Sequence, residues 1–87
     1  MKVVVRPIEM VAWTDVNGKI NPVRFRIANE DESISVIKVD KVITVDKEKL
    51  AGNNMLVYKC QGEIRGTERL YEIKYELGTC KWVLFKI

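Results

Sequence analysis

The sequence contains no histidine and only two cysteines, Cys60 and Cys80. Without histidine, a serine or cysteine nucleophile lacks its usual general base, and two thiols alone do not make a zinc site. The five glycines stand apart from one another, so the sequence has no glycine-rich phosphate loop. We therefore expect a protein that is not an enzyme, with no catalytic residue, metal site or cofactor.

Long apolar runs are also missing. No run approaches the roughly 20 residues that a membrane-spanning helix needs, and charge interrupts residues 1–6 too soon for a signal peptide. These features predict a cytoplasmic protein without a membrane partner. The charge is mild, because 15 Lys and Arg stand against 12 Asp and Glu, and no five like charges are adjacent. Such a balance is typical of an ordinary solvated surface.

The residues that are present indicate one all-β domain over 1–87. Hydrophobic residues make up 47% of the chain, and short alternating segments are separated by turn signals. We expect six antiparallel strands in two meanders that form a small barrel, either closed or partly open, with a sandwich as the less favoured form. A short helical turn is predicted at 46–51, because Asp46 is a suitable N-cap and Gly52 suits the end of such a turn.

The N-terminal half is organised by Asn17-Gly18, the strongest short hairpin signal. Pairing across this turn makes one face apolar, with Phe25 at its centre. The returning strand, 34–39, then places Ile37 beside Phe25. The apolar pattern changes phase near Asp40, which predicts a corner where the chain passes to the other half of the barrel.

The C-terminal half is organised by Gly78-Thr79, which predicts a two-residue type II′ turn with Tyr75 opposite Trp82. A second two-residue loop at Gly66-Thr67 adds the preceding strand and puts Tyr58 opposite Tyr75. This register places both cysteines on the buried face, roughly 10 Å apart across the sheet and roughly 13 Å along it. Because a disulfide needs Cα atoms within about 7 Å, we expect two free, buried thiols.

The two terminal segments, 1–6 and 80–87, are apolar on both faces. Such a strand is a poor exposed edge, since exposed edges invite aggregation. We expect these segments to pair with each other and close the barrel, and a dimer interface is the alternative. The outer face of the last meander would contribute the apolar residues of that interface, which are Leu70, Val83, Phe85 and Ile87.

The best candidate for binding is the outer face of the N-terminal hairpin. It carries basic residues and one aromatic residue, namely Trp13, Arg24, Arg26 and Lys38. Trp and Arg are favoured at protein interfaces, and a basic face with an aromatic ring can also hold single-stranded nucleic acid. Glu9 lies across from Arg26 and weakens the positive field, and an ordinary solvated face is a further alternative. The sequence favours a non-catalytic binding or accessory module for a protein partner or a homodimer, with nucleic-acid binding as the alternative.

Five short segments stand out together, and they are Arg24-Phe25-Arg26-Ile27, Leu50-Ala51-Gly52-Asn53, Cys60-Gln61, Tyr71–Glu76 and Thr79–Trp82. Their combination resembles a family of small, uncharacterised single-domain proteins of Gram-positive anaerobic bacteria, over nearly the whole chain. The resemblance implies a bacterial cytosolic protein. It implies no activity, cofactor or site residue.

Overall fold

The computed structural model describes residues 1–87, apart from the side chain of Leu50. The described residues form one antiparallel sheet in the order β3-β2-β1-β7-β6-β5-β4, curled into a half-barrel. The strands are β1 (Val3–Thr14), β2 (Ile20–Ala28), β3 (Ile34–Lys38), β4 (Lys41–Leu50), β5 (Asn53–Ile64), β6 (Thr67–Glu76) and β7 (Lys81–Lys86). The predicted all-β antiparallel architecture is confirmed, with seven strands in place of six.

The additional strand is β4, and it covers the segment for which a helical turn was predicted. β4 pairs with β5 along its whole length and turns at Ala51-Gly52. Both turn residues have positive φ, 51° and 87°, as in the tight type I′ turn between antiparallel strands. The prediction of a helical turn at 46–51 is therefore wrong. A single helical turn leaves most of its backbone groups unpaired, whereas pairing with β5 satisfies the groups that face that strand.

The first and last strands meet at the centre of the sheet. β1 lies beside β7, with Ile8 opposite Trp82. Beyond the ends of these strands, Lys2 and Ile87 exchange backbone hydrogen bonds of 2.7 and 2.9 Å. The predicted pairing of the terminal segments is confirmed, and it joins the N-terminal half, β1 to β3, to the C-terminal half, β4 to β7. The predicted closure is wrong, because β3 and β4 form the two edges of the sheet and the barrel stays open between them.

The chain passes between the two halves at a corner formed by Val39-Asp40. The Val39 amide donates to the Val23 carbonyl of β2 at 2.9 Å, and the Asp40 amide donates to the Gln61 carbonyl of β5 at 3.1 Å. This corner, predicted from the change of phase at Asp40, brings β3 against β5. Gly62 is buried there, and a Cβ at this position would lie 2.6 Å from the Lys38 carbonyl oxygen. Only glycine allows so close an approach without a shift of the backbone.

The β5–β6 hairpin turns one residue earlier than predicted. Its turn is Arg65-Gly66, and both residues have positive φ. Tyr58 consequently lies opposite Ile73, not opposite Tyr75 as predicted. The partner moves by two residues, so the same side chains still face the core.

The β6–β7 hairpin has a four-residue loop, 77–80, in place of the predicted two-residue turn. The predicted pairing of Tyr75 with Trp82 is confirmed. The Cys80 amide closes the loop on the Glu76 carbonyl at 2.8 Å, and Cys80 takes a positive φ of 60°. Both cysteines are free, as predicted, but Cys80 is exposed. Its expected burial is wrong because the longer loop carries it out of the strand.

The core lies on the concave side of the half-barrel and draws on both halves. Trp82 packs against Tyr58 and Tyr75, with ring centroids 5.4 and 4.7 Å apart. Phe25 of the N-terminal half meets Tyr71 of the C-terminal half edge-on at 5.7 Å. Each half thus buries its apolar face against the other. The buried apolar side chains are Phe25, Ile27, Ile37, Tyr58, Cys60, Tyr71, Ile73, Trp82 and Leu84.

Candidate binding face and cleft

The four residues predicted to bind a partner lie on the convex side of β1, β2 and β3, which we call the outer face. Arg24 of β2 lies between Val11 of β1 and Lys38 of β3, in one row across the three strands. Arg26 is the next outward residue on β2. Trp13 lies further along β1, and 57% of it is exposed. Regular strand alternation therefore presents all of these side chains on one surface.

A bulge sets the surroundings of Trp13. The pairing of β1 with β2 shifts between Val11 and Ala12, so Trp13 lies opposite Asn21. Pro22, opposite Ala12, is buried. The Asn21 side-chain amide donates to the Trp13 carbonyl at 3.4 Å. The bulge thus turns the proline inward and leaves the indole beside a polar residue at the surface.

Charge on the outer face is unevenly compensated. Arg26 forms a hydrogen-bonded ion pair with Glu9. The hydrogen bond and the negative charge of Glu9 raise the pKa of Arg26. Among the described residues, Arg24 and Lys38 have no carboxylate within 4.0 Å. Exposed Val36 lies opposite Arg26 on the β3 side. The outer face is therefore a mixed apolar and basic surface whose free charge comes from two cations.

In the predicted C-terminal interface, Phe85 lies under one of the protein's own charged side chains. The Lys74 ammonium lies 3.6 Å from the centroid of the Phe85 ring and 2.9 Å from Glu48 Oε2. Only 12% of the Lys74 side chain is exposed. This cation–π contact and this ion pair hold the Lys74 side chain over the Phe85 ring of the same chain.

The other members of that set are dispersed. Val83 is half-buried beside Lys74 in the pairing of β6 with β7. Leu70 is exposed, whereas Ile87 packs against the core, where the sequence predicted an outward side chain. The structure does not bring the four residues together as one apolar patch.

A cleft that the sequence did not reveal opens on the concave side. It has a volume of about 620 Å³ and lies between the tip of the β5–β6 hairpin and the N-terminal strands. Three arginines line it, namely Arg6, Arg65 and Arg69. The available signal was the alternation of β6, since Arg69 shares the inward phase of buried Tyr71. The apolar residues that line the cleft are Val4, Ile27, Val36, Ile37, Ile64, Leu84 and Ile87.

An acidic loop borders this cleft. A smaller depression lined by Glu30 and Asp31 shares Arg6 and Arg65 with it. The Asp31 carboxylate accepts hydrogen bonds from the Ser33 hydroxyl at 2.5 Å and the Ser33 amide at 3.1 Å. These bonds, with a smaller contribution from Arg65, lower the pKa of Asp31. The loop is therefore anionic at neutral pH and held in place by its own hydrogen bonds.

The buried titratable groups are inert in this fold. Burial raises the pKa of the Cys60 thiol to about 12, so it stays protonated and is a weak nucleophile. Burial also raises the pKa of Tyr58 to about 12. Within the part of the chain that the structure describes, no three His, Cys, Asp or Glu side chains are grouped to hold a metal ion. The absence of enzymatic activity stays a prediction.

Comparison with known proteins provides no relative whose function could be carried over. No family model, no curated protein and no solved structure matches the chain. The resemblance to the family of Gram-positive anaerobes therefore stays a prediction. None of the described residues belongs to a helix long and apolar enough to cross a membrane.

Proposed function

We propose that this protein is a non-catalytic binding module that docks a protein partner on its outer face. The observation that carries the proposal is Trp13, a large aromatic side chain on β1 with 57% of its surface exposed. Tryptophan and arginine are the residues most enriched in interface hot spots. Arg24 and exposed Val11 lie on the same face, and this combination of residue types supports the proposal.

The partner is expected to present acidic residues around an apolar patch. Arg24 and Lys38 lack carboxylate partners among the described residues, so each can pair with an acid of another protein. Val11 and Val36 provide apolar area beside them. Because these residues lie on paired strands, docking orders little backbone and costs little entropy.

A second copy of this chain is a less suitable occupant of the outer face. In a two-fold interface the same surface is used by both subunits. Arg24 and Lys38 would then face a surface of like charge, with Glu9 already engaged by Arg26. Electrostatic complementarity therefore favours a different, acidic protein.

Nucleic-acid binding is the second candidate, and Trp13 with Arg24 and Lys38 supports it. Surfaces that bind single strands combine a basic track with aromatic side chains on which successive bases stack. The outer face offers one tryptophan, and the Arg26 charge is compensated by Glu9. The mixed apolar and basic character of the face fits a protein better.

A photo-crosslinking amino acid at position 13 tests the proposal in cells, with the same probe at position 47 on β4 as the control. We expect position 13, and not position 47, to capture one protein species. That species, once purified, should bind the unmodified chain, and Trp13→Ala or Arg24→Glu with Lys38→Glu should weaken binding by at least about tenfold. Unchanged affinity in both variants would contradict the proposal, as would capture of only a second copy of this chain.

Titration with single-stranded and duplex oligonucleotides separates the two candidates. Quenching of Trp13 fluorescence that weakens steeply with salt, and that is lost in Arg24→Ala with Arg26→Ala, would favour nucleic acid. Trp13→Phe isolates the signal of buried Trp82. We expect no quenching even at low salt.

A further inference from the structure

The cleft on the concave side has the dimensions and composition of a small-molecule site. Its volume of about 620 Å³ falls within the range of roughly 300–1,000 Å³ that is typical of ligand pockets. It is formed by both halves of the sheet on the concave side, and it shares Val36 with the outer face. We propose that this cleft binds an amphiphilic organic anion, with a carboxylate or phosphate head and an apolar body.

The apolar part of the cleft would hold the body of the ligand. Its lining includes the core residues Ile27, Ile37 and Leu84, so the cleft reaches the hydrophobic core itself. Ile64 and Ile87, which pack against that core, border it. Water makes few hydrogen bonds against such a lining, and its replacement by an apolar group is favourable.

The charged part would hold the head. Arg69 lies opposite Gly62 in the pairing of β5 with β6, on the inward phase of its strand. Arg65 occupies the adjoining turn, and Arg6 reaches the cleft from β1, where its guanidinium donates to the Ala28 carbonyl. In the described part of the chain, none of the three has a carboxylate within 4.0 Å. Guanidinium groups remain charged in proteins, and their fork of donors matches a carboxylate or phosphate.

Acidic residues near the cleft limit where the head can lie. Glu63 is among the lining residues, and Glu30 and Asp31 border the adjoining depression. Their charges repel an anion on that side. The head is therefore expected near Arg69, with the body directed toward the core. Removing the Glu30 charge should then strengthen binding.

Isothermal titration with octanoate, octyl phosphate and the neutral 1-octanol tests the proposal. We expect one saturable site for at least one of the two anions, with a Kd below about 1 mM. 1-Octanol and acetate, which each keep only one part of the ligand, should bind at least about tenfold more weakly. A tighter complex with octyl phosphate would identify a phosphate head, and a tighter complex with octanoate a carboxylate head.

Variants of exposed residues assign the binding to the cleft. Arg69→Gln with Arg65→Gln should weaken binding of the preferred anion by at least about tenfold, and Glu30→Gln should strengthen it by about twofold. Arg24→Gln on the outer face is the matched control and should leave the affinity unchanged. Circular dichroism verifies that each variant is folded.

The proposal is overturned if 1-octanol binds as tightly as both anions, if neither anion saturates, or if the paired arginine variant binds like the unmodified protein. Because the control variant removes a residue of the outer face, loss of partner docking and loss of anion binding are distinguished in the same set of proteins.

Discussion

Replacing Tyr58 and Tyr71 separately with phenylalanine tests how hydrogen bonds contribute to the stability of the core. Both rings are buried, and phenylalanine removes a single oxygen atom from each. The Tyr58 hydroxyl donates to the Ile20 carbonyl of β2 at 2.8 Å. The Tyr71 hydroxyl has no hydrogen-bond partner among the described residues. We therefore expect the two variants to differ in stability.

The expected difference follows from what each hydroxyl contributes. A buried hydrogen bond is worth about 1 kcal/mol net, and an acceptor left without a donor adds to the loss. Tyr58→Phe should lower the free energy of unfolding by about 1–2 kcal/mol. Tyr71→Phe removes a polar group that was desolvated without compensation, so the free energy of unfolding should stay the same or rise by up to about 1 kcal/mol.

The pH dependence provides an independent check on Tyr58. Its pKa is raised from the ordinary value of 10.0 to about 12 in the folded state, so the unfolded chain releases this proton first as pH rises. The neutral hydroxyl therefore contributes to stability fully below pH 10, and that contribution is lost between about pH 10 and pH 12. Tyr58→Phe should show a smaller loss of stability over this window.

Urea denaturation followed by far-ultraviolet circular dichroism measures both variants, and equal m values would show that the comparison concerns stability alone. The reasoning would be refuted if Tyr71→Phe lost as much stability as Tyr58→Phe, or if Tyr58→Phe were neutral.

Three further predictions concern glycine, strain and thiol reactivity. Gly62→Ala should lower the free energy of unfolding by about 2–3 kcal/mol, because the new Cβ would lie 2.6 Å from the Lys38 carbonyl oxygen of β3. Gly78→Ala, with open space around the new Cβ, should change the free energy of unfolding by less than about 0.5 kcal/mol. Equal losses in the two variants on urea denaturation would contradict this prediction. Val5→Asn should raise the free energy of unfolding by about 1 kcal/mol. Val5 is exposed and β-branched, and its φ of 45° is a strained backbone conformation for such a residue. An unchanged or lower melting temperature would argue against strain at this position. Iodoacetamide should modify exposed Cys80 in the folded protein and reach buried Cys60 only after unfolding, so two labelled thiols in the native mass spectrum would show that the core opens.

Hairpin partners were predictable where the apolar alternation was regular, and turns were not. Tyr75 pairs with Trp82 as expected, because a shift by one residue would have exposed the apolar face. The turns were missed since Ala51, Arg65 and Cys80 take positive φ, which side chains other than glycine adopt rarely and without a sequence signal. The positive φ of Cys80 belongs to the longer loop that exposes its thiol, which the sequence predicted to be buried.

The outer face was predictable from the two-residue period of strands, and the cleft was not. Trp13 and Arg24 lie on one face by alternation alone. Arg6 and Arg69 are distant in sequence, and they line one cleft only because β1 pairs with β7 and the sheet curls. That curvature is accompanied by irregular pairing between Val3 and Arg6, which alternation does not encode.

The central pairing of β1 with β7 has a consequence for synthesis of the chain. The ribosome makes β1 first and its partner β7 last, so one side of β1 waits unpaired while every other strand is translated. An open strand edge of this kind can capture a neighbouring nascent chain. β1 contains Pro7, which has no backbone N–H and cannot complete a regular ladder of hydrogen bonds with a foreign strand. This proline makes the waiting strand a poorer template for other chains until the correct partner emerges.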